Sequence, residues 1–208
     1  MEDASMKRAL AAKTGLSVAL LLACAAPARD KPQASHASPQ VASDQAMLTV
    51  LPGARDAGER VISFLTHAPS TAAFTPDGIG RAMGATLGPD PNNDAGWAVY
   101  HSQDLGRGWT YWVQFAAGES TMKPGFRFWF DHADPAADAG PVCALPFDRL
   151  RVALTTHGWA ERPVPSELGS VLAVEFAKAD MVVTLTPRDG ADVHGTACVL
   201  TLQTSDGR

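Results

Sequence analysis

WTYWVQFAAGESTMKPGFRFWFD (residues 109–131) holds two aromatic, alternating runs separated by a polar stretch containing Gly118, Pro124 and Gly125. Period-two alternation rich in aromatic residues predicts two β-strands. In the first run Trp109, Tyr111, Val113 and Phe115 share one face, and Thr110, Trp112, Gln114 and Ala116 the other. In the second, Phe126, Phe128 and Phe130 face one way, and Arg127, Trp129 and Asp131 the other. The Phe/Tyr/Val face is predicted core. The opposite face presents Trp112 and Trp129 among Gln114, Arg127 and Asp131, a candidate binding face. Aromatic planes ringed by polar groups suit sugars, peptides or a partner protein. The alternative is that a helix covers this face, with Arg127 and Asp131 paired at its edge.

The same alternation recurs outward from this pair. GWAVYHS (96–102), SVLAVEFAK (170–178), DMVVTLTP (180–187) and TACVLTLQT (196–204) all predict strands. Leu172, Val174 and Phe176 share a face of the second of these, and Cys198, Leu200 and Leu202 a face of the last. Asp104 to Gly108, Ala179-Asp180 and Asp189 to Gly195 have the composition of hairpin connections. Helical spacing appears in three places. AGERVISFLTHA (57–68) puts Val61, Ile62 and Leu65 on one side and stops before Pro69. FTPDGIGRAMGATLG (74–88) opens with Thr75 as a cap, Pro76 in the first turn and Asp77 beside it; Ile79, Met83 and Leu87 follow four apart, and Gly88-Pro89 ends it. LPFDRLRVALTTHG (145–158) places Phe147, Leu150 and Leu154 on a stripe before Gly158.

Runs of adjacent strands favour antiparallel pairing. The prediction is an α+β fold with an antiparallel sheet or sheets of about six strands and two or three helices. GIGRAMGATL and FDRLRVALTTHG each precede about three strands, which suggests a tandem helix-plus-three-strand duplication although the residues barely match.

At the amino terminus the apolar run from Gly15 to Ala26 is 12 residues long, and a bilayer-spanning helix needs about 20. Lys7, Arg8 and Lys13 precede it, the layout of a secretory signal. Leu21-Leu22-Ala23-Cys24 resembles the lipobox of bacterial lipoproteins. That resemblance implies lipidation of the Cys24 thiol, cleavage before it and acylation of the new amino terminus. Ala25, in place of an aspartate, implies sorting to the outer membrane. Glu2 and Asp3 suit such a leader poorly, and Met6-Lys7-Arg8 is a better start. The organisation expected is a signal peptide over 1–23, a flexible tether over 24–45 rich in Ala, Pro, Ser and Gln, and a single α+β domain over 46–208.

The whole chain carries 17 Lys and Arg against 22 Asp and Glu; past Ala23 the balance is 14 against 20, a net of about −6. No basic run follows the leader, so the cationic footprint that nucleic acids need is lacking. With Cys24 assigned to lipid, Cys143 and Cys198 remain. An even pair in an oxidising compartment favours a disulfide, the alternative being two buried thiols.

Motifs of chemistry are sparse. GPDPNNDAGWAVYH (88–101) offers Asp90, Asn92 and Asp94 at alternating positions, but Ala95 and His101 occupy the places where a calcium loop needs glycine and glutamate. DHADPAAD gathers Asp131, His132, Asp134 and Asp138, and reads better as a loop than as a metal site. GEST at Gly118–Thr121 imitates a nucleophile elbow, but Met122 replaces the closing glycine. No Gly-rich phosphate loop is present. Neither metal nor cofactor is expected. The function expected is a non-enzymatic lipoprotein of the bacterial cell envelope, anchored in the outer membrane and facing the periplasm, whose domain binds an envelope protein. It would act as an inhibitor or immunity factor or in envelope maintenance. A cell-wall or ester hydrolase and a small-ligand carrier are the alternatives.

Overall fold

The first helix forms where small and aliphatic side chains fall three and four apart. α1 (Pro52–His67) buries Ala54, Ala57, Gly58, Val61 and Leu65 along one stripe. It starts five residues before the predicted Ala57, because its first turn contributes only Ala54 to the core and shows almost no apolar signal. The computed structural model describes residues 50–92, 96–119, 122–165, 171–187 and 197–206, all within the unit Ala37–Arg208. The leader, Cys24, the tether and the turn over 189–195 lie outside the described residues. Among those described, no helix is long and apolar enough to cross a membrane.

α2 (Pro76–Met83) begins as the sequence predicts: the Thr75 hydroxyl accepts the Gly78 N–H at 3.0 Å. It ends one turn early. Gly84 adopts the left-handed conformation at φ +64 and its N–H bonds the carbonyls of Gly80 and Arg81. That turn favours glycine. Leu87 therefore leaves the helix and packs on the core from the loop beyond it. α3 (Phe147–Thr156) buries the predicted stripe of Phe147, Leu150 and Leu154.

The strands form one eight-stranded sheet, not six strands: β1 (Gly88–Pro89), β2 (Trp97–His101), β3 (Thr110–Ala116), β4 (Gly125–Asp131), β5 (Ala160–Pro165), β6 (Val171–Lys178), β7 (Met181–Pro187) and β8 (Val199–Asp206). The order is β1-β2-β3-β4-β8-β7-β6-β5, antiparallel throughout. The two unpredicted strands, β1 and β5, are the two edges. GP and AERPVP lack alternation and carry Pro89, Pro163 and Pro165; within sheets proline is confined mainly to edge strands and bulges, and at an edge it also discourages pairing with another chain.

α2 leads into the meander β1–β4, and α3 into β5–β8. The halves meet at β4 and β8 through three residue pairs, Arg127↔Gln203, Phe128↔Leu202 and Trp129↔Thr201. Past that seam the buried Thr204 hydroxyl takes over from the ladder: it accepts the Phe126 N–H at 2.6 Å and donates to the Phe126 carbonyl at 3.1 Å. At the other end of β8 the register with β7 skips Leu200 between Thr186↔Thr201 and Pro187↔Val199. That bulge turns Val199 into the core and leaves Cys198 and Leu200 half-buried, so the predicted face of Cys198, Leu200 and Leu202 is broken.

The three α-helices among the described residues share one hydrophobic cluster with a single face of the sheet. Val113, Phe128, Phe176, Val183, Leu185 and Leu202 form its floor, each 0 % exposed. Tyr111 belongs to it, and burial together with neighbouring Tyr100 pushes its phenol up to about 12, so it stays neutral.

The two-residue turn Ala179-Asp180 joins β6 to β7 as predicted, with Ala179 at φ +52. Its carboxylate ties the hairpin to the loop between α1 and α2. Asp180 accepts the Thr71 N–H at 2.9 Å and the Thr71 hydroxyl at 2.6 Å, and pairs with Lys123 at 3.1 Å. The Thr71 bonds, aided by Lys123, lower its pKa to about 2 from 3.8. A lowered carboxylate stabilises the fold above the unfolded pKa and loses that effect as pH falls through the folded one. With the side chain 33 % exposed, solvent screening leaves about 1 kcal/mol. Urea midpoints should therefore drop between pH 4 and pH 2 by more in the unaltered chain than in Asp180→Asn. Parallel pH curves for the two proteins would show that this carboxylate does not couple to folding.

Candidate functional site

The register of the sheet builds the side of it that no described helix packs against. β3 and β4 place Trp112 opposite Trp129, Gln114 opposite Arg127 and Thr110 opposite Asp131. β2 sets His101 opposite Trp112, and β8 sets Thr201 opposite Trp129. One cross-strand row therefore runs His101, Trp112, Trp129, Thr201, Thr186. A second, polar row runs Gln114, Arg127, Gln203, Thr184, Glu175, Arg162.

The aromatic row is a stack. The His101 and Trp112 rings lie 3.9 Å apart at 12°, and Trp112 and Trp129 lie 5.7 Å apart at 3°. The Arg127 guanidinium sits 4.7 Å from the Trp129 ring centre. Trp112, Trp129 and Gln114 are half-buried; Arg127 and Asp131 are exposed. Gln114 is held by its amide, which donates to Asp90 at 3.1 Å. The Arg127–Asp131 pair that belongs to the alternative, helix-covered reading is not among the ion pairs of the described residues, and Arg127 leans over Trp129 two residues along its own strand. The structure thus brings four of the five proposed face residues into one connected patch. Asp131 stands at its end.

Two concavities flank the stack. A notch of about 110 Å³ lies beside Trp97, which is 40 % exposed, over Gln114, Gly125, Arg127 and Gln203. A cleft of about 320 Å³ at the other end is lined by Trp109, Asp131, His132, Asp134, Thr186 and Thr201. His101, Thr201 and Gln203 were not singled out from the sequence. Alternation alone assigns His101 to the face of Trp97 and Val99, but only register puts it against Trp112.

The other groups considered for chemistry hold loops. His132 Nδ1 accepts the Asp134 N–H at 2.9 Å, which places the proton on Nε2, and Nε2 donates to the Arg107 carbonyl at 3.0 Å. Asp134 and Asp138 each accept a backbone N–H two residues on, from Ala136 and Gly140, both at 2.9 Å. Asp90 does the same for Asn92 at 2.9 Å. Asp94 and Ala95 of the calcium-like stretch, and Ser120 and Thr121 of GEST, lie outside the described residues. Among the described residues no group of three His, Cys, Asp or Glu gathers as a metal site, and no serine hydroxyl bonds a histidine.

The Cys143–Cys198 disulfide is formed, with Cα atoms 5.4 Å apart. Beside it the Phe147 N–H bonds the Ala197 carbonyl at 2.8 Å and the Val199 N–H the Leu145 carbonyl at 3.0 Å. The start of α3 is thereby clamped to the start of β8.

Comparison with family models, with curated proteins and with solved structures returned no match.

Proposed function

We propose that this protein is an outer-membrane-anchored periplasmic lipoprotein whose open sheet face binds another envelope protein. The observation that carries the binding half is the His101–Trp112–Trp129 stack with Arg127 over its end, on the face that no described helix packs against. Its geometry favours a protein over a sugar. Sugars dock on free ring faces, and here Trp112 is parallel to both His101 and Trp129, and Arg127 stands over Trp129. Indole edges carry the positive end of the ring quadrupole and suit carbonyls and side chains. Two half-buried tryptophans with an exposed Arg127 packed over one of them also have the character of interface hot spots. The polar row beside them supplies a rim of hydrogen-bonding groups. The lipobox-like Leu21–Cys24 supports the anchor, and the Cys143–Cys198 bond suits an oxidising compartment. The helix-then-four-strands order of each half supports the tandem arrangement, with a fourth strand added to each predicted set of three.

The test is capture from envelope extracts with the unaltered chain and with Trp112→Ala/Trp129→Ala. We expect a specific partner retained by the first and depleted at least tenfold by the second, with unchanged far-UV circular dichroism. Recovery of the same partners at equal yield by a folded double variant would remove this face from the function. Mass spectrometry of the native product reads the anchor separately, as a diacylglyceryl-modified Cys24 at the amino terminus.

A further inference from the structure

α1 and α3 lie side by side and run in the same direction. Arg149, in the first turn of α3, contacts Glu59, midway along α1, at 2.5 Å. Eight residues further along each chain, His157 and His67 meet, with ring centres 6.2 Å apart. Two helix carboxyl ends, each with a partial negative charge of about half a unit, are therefore neighbours at one place, and an exposed histidine stands on each.

The hydrogen bonds set both tautomers. His67 Nδ1 lies 2.8 Å from the Ser63 carbonyl, and His157 Nδ1 lies 2.8 Å from the Ala153 carbonyl. A carbonyl only accepts, so Nδ1 carries the proton in each ring and Nε2 is left with its lone pair. Donation of one ring N–H to a backbone carbonyl while the other nitrogen stays bare is the arrangement that orients metal-ligating histidines. One ion bound to both Nε2 atoms at about 2.0–2.1 Å holds the ring centres roughly 5–6 Å apart. The observed 6.2 Å lies just above that range, within a small torsional adjustment of two exposed side chains.

We propose that His67 and His157 form a two-imidazole site for a borderline divalent cation, Zn²⁺ or Cu²⁺, with water completing the coordination. Imidazole selects these ions over Mg²⁺ and Ca²⁺, and the paired helix ends add a field that favours positive charge. One group opposes it: the Lys178 ammonium lies 3.4 Å from the Thr66 carbonyl, at the end of α1. Affinity should accordingly fall well below that of a closed three- or four-ligand site.

The test is Zn²⁺ titration of the full-length chain without a purification tag, followed by calorimetry and by imidazole nitrogen NMR. We expect one saturable ion, with the Nε2 signals of two histidines shifting together. His67→Gln and His157→Gln should each weaken binding at least tenfold, and the double variant should abolish it. Both side chains are exposed, and circular dichroism checks that the variants fold. Binding unchanged in either folded variant, shifts on other histidines, or no saturable binding by the unaltered chain would overturn the site. The NMR readout on the unaltered chain stands even where a variant does not fold.

Discussion

Reduction of the Cys143–Cys198 bond should lower the melting temperature of this domain by roughly 8–15 °C. The bond closes a loop of 55 residues. Chain entropy puts the stabilisation from such a closure at about 4 kcal/mol, and a domain of this size loses about 2–4 °C per kcal/mol. The location argues for the full effect. The loop contains α3, β5, β6 and β7, so nearly all of the second half of the fold is released from its closing strand. The clamp also holds the start of β8, the one strand that joins the two halves of the sheet. Calorimetry with and without reductant measures the shift, and Cys143→Ser/Cys198→Ser should reproduce it in the absence of reductant. A change below about 2 °C in both experiments would mean that the denatured loop is already closed by residual structure.

Phe128→Ala should cost about 3–5 kcal/mol, the usual range for emptying a buried aromatic site. Phe128 is 0 % exposed and sits at the middle of the three-pair seam between β4 and β8. Its cross-strand neighbours are Val113 and Leu202, and its ring lies 5.6 Å from Tyr111 and 5.1 Å from Phe130. Neighbours held on both sides by the ladder collapse poorly into a cavity, which favours the upper end of the range. Domains have only about 5–15 kcal/mol in total, so the variant should populate unfolded chain at moderate temperature. Val152→Ala, at a position 63 % exposed, is the matched control and should change stability by less than about 0.5 kcal/mol. Urea melts of the three proteins decide the matter; equal midpoints for Phe128→Ala and Val152→Ala would show that the seam is not packed as described.

Much of the fold is legible in local sequence. Alternation over 109–115 and 126–131 assigns Tyr111, Val113, Phe126, Phe128 and Phe130 to the core face and Trp112, Gln114, Arg127 and Trp129 to the other, and the sheet uses those faces. Thr75-Pro76-Asp77 specifies the start of α2 because a cap, a fixed φ and a first-turn acid act within four residues. The edge strands escape such analysis. Their residues answer to solvent and to the need to stop pairing, so GP and AERPVP carry no alternating signal. The end of α2 escapes it as well: Gly78, Gly80 and Gly84 all stand in the run, and the left-handed cap, bonded to Gly80 and Arg81, falls at the last of them.

The candidate site divides along the same line. From the sequence alone come the elements, the face on which each side chain stands, and the presence of two tryptophans among polar groups on the non-core side. Those are properties of a backbone period, and each residue reports them to its near neighbours. Tertiary structure alone decided that β4 pairs with β8 rather than with β5, that His101 stacks on Trp112, that Asp180 reaches Thr71, and that His67 meets His157. Such pairings join residues from 11 to 109 apart in the chain. The entropy of closing a loop rises only slowly with its length, so no local signal marks which distant partner is chosen; the choice falls to the packing of the shared core.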